Sequence, residues 1–148
     1  MNIIENFAIM HALLALSKNM YFISLAAIIG FDYLTGLAKA FYWKVPDSSL
    51  GFKGLVKHTF VIVGLGGVWV FCSALHSDAV AIIVTIMYIM NYLISIFENF
   101  SVMGIYTPKV LELKVKSEQK RYEQKLADAL GVEKEVQNGK SSTGQAMD

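Results

Sequence analysis

The sequence predicts an all-α integral membrane protein: three transmembrane helices, an N-terminal interfacial amphipathic helix and a charged cytoplasmic C-terminal helix. Three observations carry this reading. Of the 148 residues, 55% are apolar, and most of these gather into three blocks instead of spreading as a soluble core would. The blocks, at about 20–41, 55–75 and 79–99, hold two, one and one Lys, Asp or Glu residues, the last being Glu98 at the very end of the third. At about 1.5 Å per residue each reaches roughly 28–33 Å, close to the thickness of the hydrocarbon layer of a bilayer. Finally, the second and third blocks lack the wide polar face that a soluble bundle helix needs. The chain divides into an N-terminal segment (1–18), a membrane domain (19–105), a charged helix (106–138) and a tail (139–148) with nothing to bury.

Residues 3–16 (IIENFAIMHALLAL) place Ile3, Phe7 and Leu14 at helical spacing, interrupted by Glu5, Asn6 and His11. A stretch of about 14 residues is too short to cross a bilayer, so it is expected to lie at the interface. The start, Asn2-Ile3-Ile4-Glu5, has no basic region, and no cleavable signal peptide is expected.

The first span ends in Phe31-Asp32-Tyr33-Leu34-Thr35-Gly36-Leu37-Ala38-Lys39-Ala40. Asp32, Thr35, Gly36 and Lys39 stand at i, i+3, i+4 and i+7, one narrow helical stripe. Near mid-bilayer a charge costs roughly 2.5–3.5 kcal/mol on insertion scales, so Asp32 must face something other than lipid and is a functional candidate. Tyr42-Trp43-Lys44 forms the aromatic and basic edge of a membrane surface, and Pro46 with Asp47 breaks the helix. In the loop that follows, Gly51 and Gly54 allow tight backbone. Lys44, Lys53 and Lys57 are placed to contact lipid phosphates. Walker spacing is absent.

In the second span Gly64 and Gly67 share a face with Phe60 and Phe71, an arrangement that lets another helix approach. The single cysteine, Cys72, lies inside this span and reads as a small packing residue, with no intrachain disulfide available to it. His76-Ser77-Asp78 is so short a connection that spans two and three must form an antiparallel hairpin. The third span carries Asn91, Ser95, Glu98 and Asn99 at i, i+4, i+7 and i+8, a second polar stripe. Two spans with matched stripes are expected to meet through them, within one subunit or between subunits. A pairing of Lys39 with Glu98 would lower the cost of both charges. Gly104 ends the helix and Pro108 prevents its continuation.

Eight of the 13 basic residues (Lys109, Lys114, Lys116, Lys120, Arg121, Lys125, Lys134, Lys140) lie in the last 40 positions, although the net charge is only +1. From Lys109 the pattern is a charged helix with Leu111, Val115, Tyr122 and Leu126 as a thin apolar strip. Lysines flank the first loop and fill the tail, while the second loop has none. The positive-inside rule therefore expects the first loop and C-terminus in the cytoplasm and the N-terminus outside.

Enzymatic chemistry has no foothold in this pattern. There is no nucleophile–base set, no zinc-spaced cluster and no phosphate loop, and His11, His58 and His76 are scattered. No catalytic, metal-binding or cofactor-binding residue is expected. Nucleic acid is not an expected partner either, because Glu112, Glu118, Glu123, Asp128, Glu133 and Glu135 balance the basic tail.

Three stretches together carry a resemblance: Asp32-Tyr33-Leu34-Thr35-Gly36 with Lys39-Ala40; Ser49-Leu50-Gly51-Phe52-Lys53-Gly54-Leu55 with Lys57; and Ser95-Ile96-Phe97-Glu98-Asn99 with Met103-Gly104 and Pro108. Over residues 20–113 the chain resembles the toxin-secretion and phage-lysis holin family of small membrane proteins. His58 departs from the pattern, standing where another basic residue is expected. The resemblance implies a homo-oligomer in the cytoplasmic membrane of a bacterial host. Its timed lesions would collapse the membrane potential and release a peptidoglycan hydrolase (endolysin) or a toxin for host lysis. Two alternatives use the same residues. An antiholin would restrain the oligomer: with Met10 and Met20 as possible internal starts, the longer product keeps Lys18 near the outer end of the first span, where a positive charge resists crossing an energised membrane. A small multimeric ion channel or transporter subunit would use Asp32 and Glu98 as proton or cation sites.

Overall fold

The computed structural model describes residues 10–11, 14–44 and 48–131. Four helices occupy them: α1 (Met20–Tyr42), α2 (Ser48–Ala74), α3 (Asp78–Val102) and α4 (Lys109–Leu130). The first three are long and apolar enough to cross a membrane. There is no strand among the described residues. The interfacial helix expected at 3–16 lies mostly outside the described residues, as do the tail at 139–148 and the end of the charged segment. Residues 14–18 are helical, and Leu16 packs beside Phe22 at one end of the bundle.

Local chemistry sets the helix ends. Asn19 caps α1, its Oδ1 accepting from the backbone N–H groups of Tyr21 (3.0 Å) and Phe22 (3.2 Å). Helix α2 starts at Ser48, directly after Pro46-Asp47 and two turns before the expected position 55. Gly51 and Gly54 therefore sit in helix, where each costs about 1 kcal/mol against alanine. Both face α1 at a distance where an added methyl would make ordinary van der Waals contact. A Cβ on Gly54 would stand 3.6 Å from the Tyr33 ring, and one on Gly51 would stand 3.8 Å from Leu37.

The α2–α3 connection closes as a Schellman turn. His76 (φ 54°) donates to the Ser73 carbonyl and Ser77 to the Cys72 carbonyl at 2.8 Å. Ser73 Oγ also donates to Asp78 Oδ1 at 2.9 Å across it. Helix α3 ends the same way with Gly104 (φ 76°) in the left-handed position: Gly104 bonds to Ser101 and Ile105 to Phe100. Pro108 then takes the N-cap position of α4, and α4 packs against α3.

Each span buries one stripe: Leu25, Ile29, Asp32 and Thr35 on α1; His58, Leu65, Trp69 and Cys72 on α2; Ala81, Thr85, Tyr92, Ile96 and Asn99 on α3. Helices α1 and α3 share the broadest interface, and α2 touches both more thinly. At the hairpin end the stripes are apolar, with Trp69, Cys72 and Ala81 packed by Leu16, Phe22 and Val80. One polar link occurs there, from Trp69 Nε1 to Thr85 Oγ1 at 2.9 Å. Leu25, Ile29, Leu65 and Tyr92 fill the middle. The outer faces are greasy, Phe60 being 74% and Phe41 67% exposed, as lipid-facing surfaces require.

Candidate functional site

At the lysine-bearing end of the bundle the three stripes turn polar and meet in one seam. Asn99 on α3 is its hub. Lys39 Nζ donates to Asn99 Oδ1 at 2.6 Å, and Asn99 Nδ2 donates to Thr35 Oγ1 at 3.1 Å. The same Nδ2 reaches Asp32 Oδ1 at 3.5 Å, the limit of a hydrogen bond. Thr35 returns its hydroxyl proton to the Asp32 backbone carbonyl at 2.9 Å. Gly36 faces the same hub, where a Cβ would stand 3.9 Å from Asn99 Nδ2, in ordinary contact.

Helix α2 joins through His58. Its Nε2 faces Asp32 Oδ2 at 3.8 Å and its Nδ1 lies 3.2 Å from the Tyr92 hydroxyl, while the Tyr33 ring meets the imidazole edge-on at 5.9 Å. When Tyr92 donates to Nδ1, the ring proton sits on Nε2 and points toward the carboxylate. Asp32, Thr35, His58 and Asn99 are each less than 10% exposed. Among the described residues, no buried side-chain nitrogen or oxygen lacks a partner. An Asp32 carboxylate and a Lys39 ammonium thus share one amide inside an apolar bundle, which lowers the cost of burying both.

Beside the seam lies a cleft of about 840 Å³ between α1, the first turns of α2 and the end of α3. Asp32, Gly36, Lys39, Lys57, His58, Ser95 and Asn99 line it, with Tyr33, Leu37, Phe52 and Leu55 as apolar walls.

The structure therefore brings Asp32, Thr35, Gly36, Lys39, Ser95 and Asn99 together and leaves Asn91 and Glu98 exposed. Lys39 bonds to Asn99 where the sequence suggested Glu98. One residue on a helix is a rotation of about 100°, which carries Glu98 off the buried stripe that Asn99 occupies. Gly64 and Gly67 face outward with nothing within 4 Å of a Cβ position, whereas Gly66 faces Leu16 and Phe22. Lys57 lines the cleft and Lys53 and Lys44 are exposed. Sequence reasoning missed His58 and Tyr92. Their signal was register, His58 standing 7, 11 and 14 residues before Leu65, Trp69 and Cys72 on one helical face.

On α4, ion pairs at i, i+4 and i, i+3 link Lys114 with Glu118 (3.0 Å) and Glu118 with Arg121 (3.1 Å). The hydrogen bond from Lys114 holds the Glu118 carboxyl below the usual range, outweighing the opposing desolvation of the carboxylate, with the charges of Arg121, Lys114 and Lys125 adding to the depression. The hydrogen bond to Glu112 raises Lys116, and the field of Glu98 adds to it.

Three apolar helices whose buried polar groups meet in one seam define a small multi-pass membrane protein. Its buried charges are concealed from lipid against one another. The model of the bacteriophage holin family matches residues 9–119, and the chain belongs to that family. The family is pore-forming and non-enzymatic, and its members oligomerise in membranes and act with an endolysin.

Similar proteins include an uncharacterized protein of Clostridium perfringens strain 13, 29% identical over 66% of this chain and 74% of its own length. An uncharacterized 14.9 kDa protein in the nagH 3′ region of Clostridium perfringens is 30% identical over 64% of this chain and 73% of its own. An uncharacterized protein of Listeria monocytogenes is 34% identical over 60% and 64%. No solved structure matches the chain.

Proposed function

We propose that this chain is a holin of the host cytoplasmic membrane. In this reading it accumulates with its N-terminus outside and C-terminus in the cytoplasm, oligomerises, and opens timed lesions. The lesions collapse the membrane potential and release an endolysin or a toxin. The observation that carries the mechanism is the seam, in which one polar side chain from each span is buried, Asp32 of α1 lying between His58 of α2 and Asn99 of α3. In a closed subunit the seam keeps charge away from lipid. In a ring of subunits the same residues can face water, so two arrangements of one helix set compete within a few kcal/mol.

Helix α2 is the natural moving part. It holds α1 and α3 through thin contacts, and its link to Asp32 spans 3.8 Å, beyond a full hydrogen bond. Its outward face, Phe60, Val63, Gly64, Gly67 and Phe71, is exposed, with open space at both glycines, and suits close approach of a second copy.

The test is induced expression with and without a cytoplasmic, signal-less peptidoglycan hydrolase, following optical density and membrane potential together. Abrupt loss of potential, with lysis only when the hydrolase is present, is the expected result. Steady growth, or slow depolarisation with no hydrolase release, would point to an antiholin or to an ion-conducting subunit.

A further inference from the structure

The cleft beside the seam holds more than the holin reading uses. Two ammonium groups, Lys39 and Lys57, line it with one carboxylate, Asp32, so it carries one unit of excess positive charge when His58 is neutral. Lys39 uses one of its three N–H groups on Asn99 and keeps two. The walls are apolar, with Phe52 at 67% exposure and Leu55 at 50% standing at the cleft on the lipid-facing side of α2. At about 840 Å³ the space falls within the range of small-ligand sites.

We infer that this cleft binds one anionic phospholipid, its phosphate between Lys39 and Lys57 and an acyl chain against Phe52 and Leu55. Charge decides among lipids. A singly negative headgroup neutralises the cleft, whereas a zwitterionic one brings a cation into a site that already has one too many. Gly51 and Gly54 of α2 line the site beside Leu37 and Tyr33, so side chains larger than alanine there would project into it. A lipid seated there touches both α1 and α2, the pair with the thinnest interface, and so ties the moving helix to the rest of the subunit.

Lys53 provides an internal control. It is an exposed lysine one turn before Lys57, yet it does not line the cleft. The experiment is native mass spectrometry of the purified full chain in a non-ionic detergent. It would be titrated with phosphatidylglycerol, with phosphatidylcholine, and with phosphatidylglycerol in the presence of inorganic phosphate.

One phosphatidylglycerol per chain is expected, in clear preference to phosphatidylcholine. Lys57→Gln should weaken it by about fivefold, the loss of one lysine's attraction to an anionic lipid, while Lys57→Arg retains it and Lys53→Gln changes it by less than about twofold. Equal binding of the two lipids, or equal losses in Lys53→Gln and Lys57→Gln, would overturn the inference. Displacement by inorganic phosphate would also overturn it, by assigning the site to a free anion. Binding is read without lysis, so failure here leaves the proposed function untouched.

Discussion

Replacing Asn99 with alanine tests the seam where it is most connected. Asn99 holds Lys39 at 2.6 Å and Thr35 at 3.1 Å, with a marginal reach to Asp32. Hydrogen bonds between helices in membranes average about 0.6 kcal/mol and reach about 1.7 kcal/mol. Taking the upper figure for the short ammonium contact and the average for the hydroxyl, the loss is about 2 kcal/mol. These bonds exist only while the seam is closed, since water replaces them once it faces a lesion. The substitution therefore shifts the closed-to-open balance by roughly 30-fold toward opening. Time-lapse optical density and a potential-sensitive dye, at expression matched by immunoblot, should show collapse earlier than in the unmodified chain. Unchanged or later triggering at equal membrane levels would refute the reasoning, because it would mean that the Asn99 bonds do not hold the closed form.

Other perturbations follow from the same geometry. Asp32→Asn removes a charge whose burial costs roughly 2.5–3.5 kcal/mol, so it stabilises the closed seam and should delay or abolish lysis; unaltered timing would remove Asp32 from the mechanism. Gly64→Leu with Gly67→Leu meets nothing inside the subunit and should leave the monomer's helicity intact while lowering cross-linked oligomer yield. By contrast, Gly66→Leu presses on Leu16 and Phe22 and should destabilise the fold itself by about 1–3 kcal/mol, seen as a lower melting midpoint in detergent. The carboxyl of Glu118 is depressed in the folded helix, so its contribution to α4 is present above the ordinary glutamate range and is lost as pH falls through the lowered value. Amide protection factors along α4, corrected for the intrinsic exchange rate, should therefore fall in acid, and Glu118→Gln should abolish that extra pH dependence.

What could be read in advance, and what could not, has a physical basis. Three spans were legible because length and charge exclusion are properties of single segments. The α1 half of the seam was legible too, since Asp32, Thr35 and Lys39 repeat at helical spacing against an apolar background. The α3 half was ambiguous: Asn91, Ser95, Glu98 and Asn99 cover two neighbouring faces, and only packing on α1 selects the one that carries Ser95 and Asn99. His58 was hidden because it follows Lys57 at a helix end, where a polar residue is expected at the interface. Its burial depends on α2 beginning at Ser48 and running past Tyr33. The glycines divide for the same reason, since single-helix spacing cannot say whether Gly66 or the Gly64–Gly67 face looks inward.

In the proposed switch one set of polar side chains is hidden before triggering and faces water after it. The most direct measurement is thiol accessibility at Thr35, which is 5% exposed in the closed subunit. With Cys72 replaced by alanine and Thr35→Cys introduced, cells would be treated with a small charged thiol reagent before and after potential collapse, with Ala27→Cys on an exposed face of the same helix as the comparison. No labelling is expected at position 35 before collapse, with strong labelling after it and little change at position 27. Continued protection of position 35 after the potential has collapsed would contradict the proposed switch.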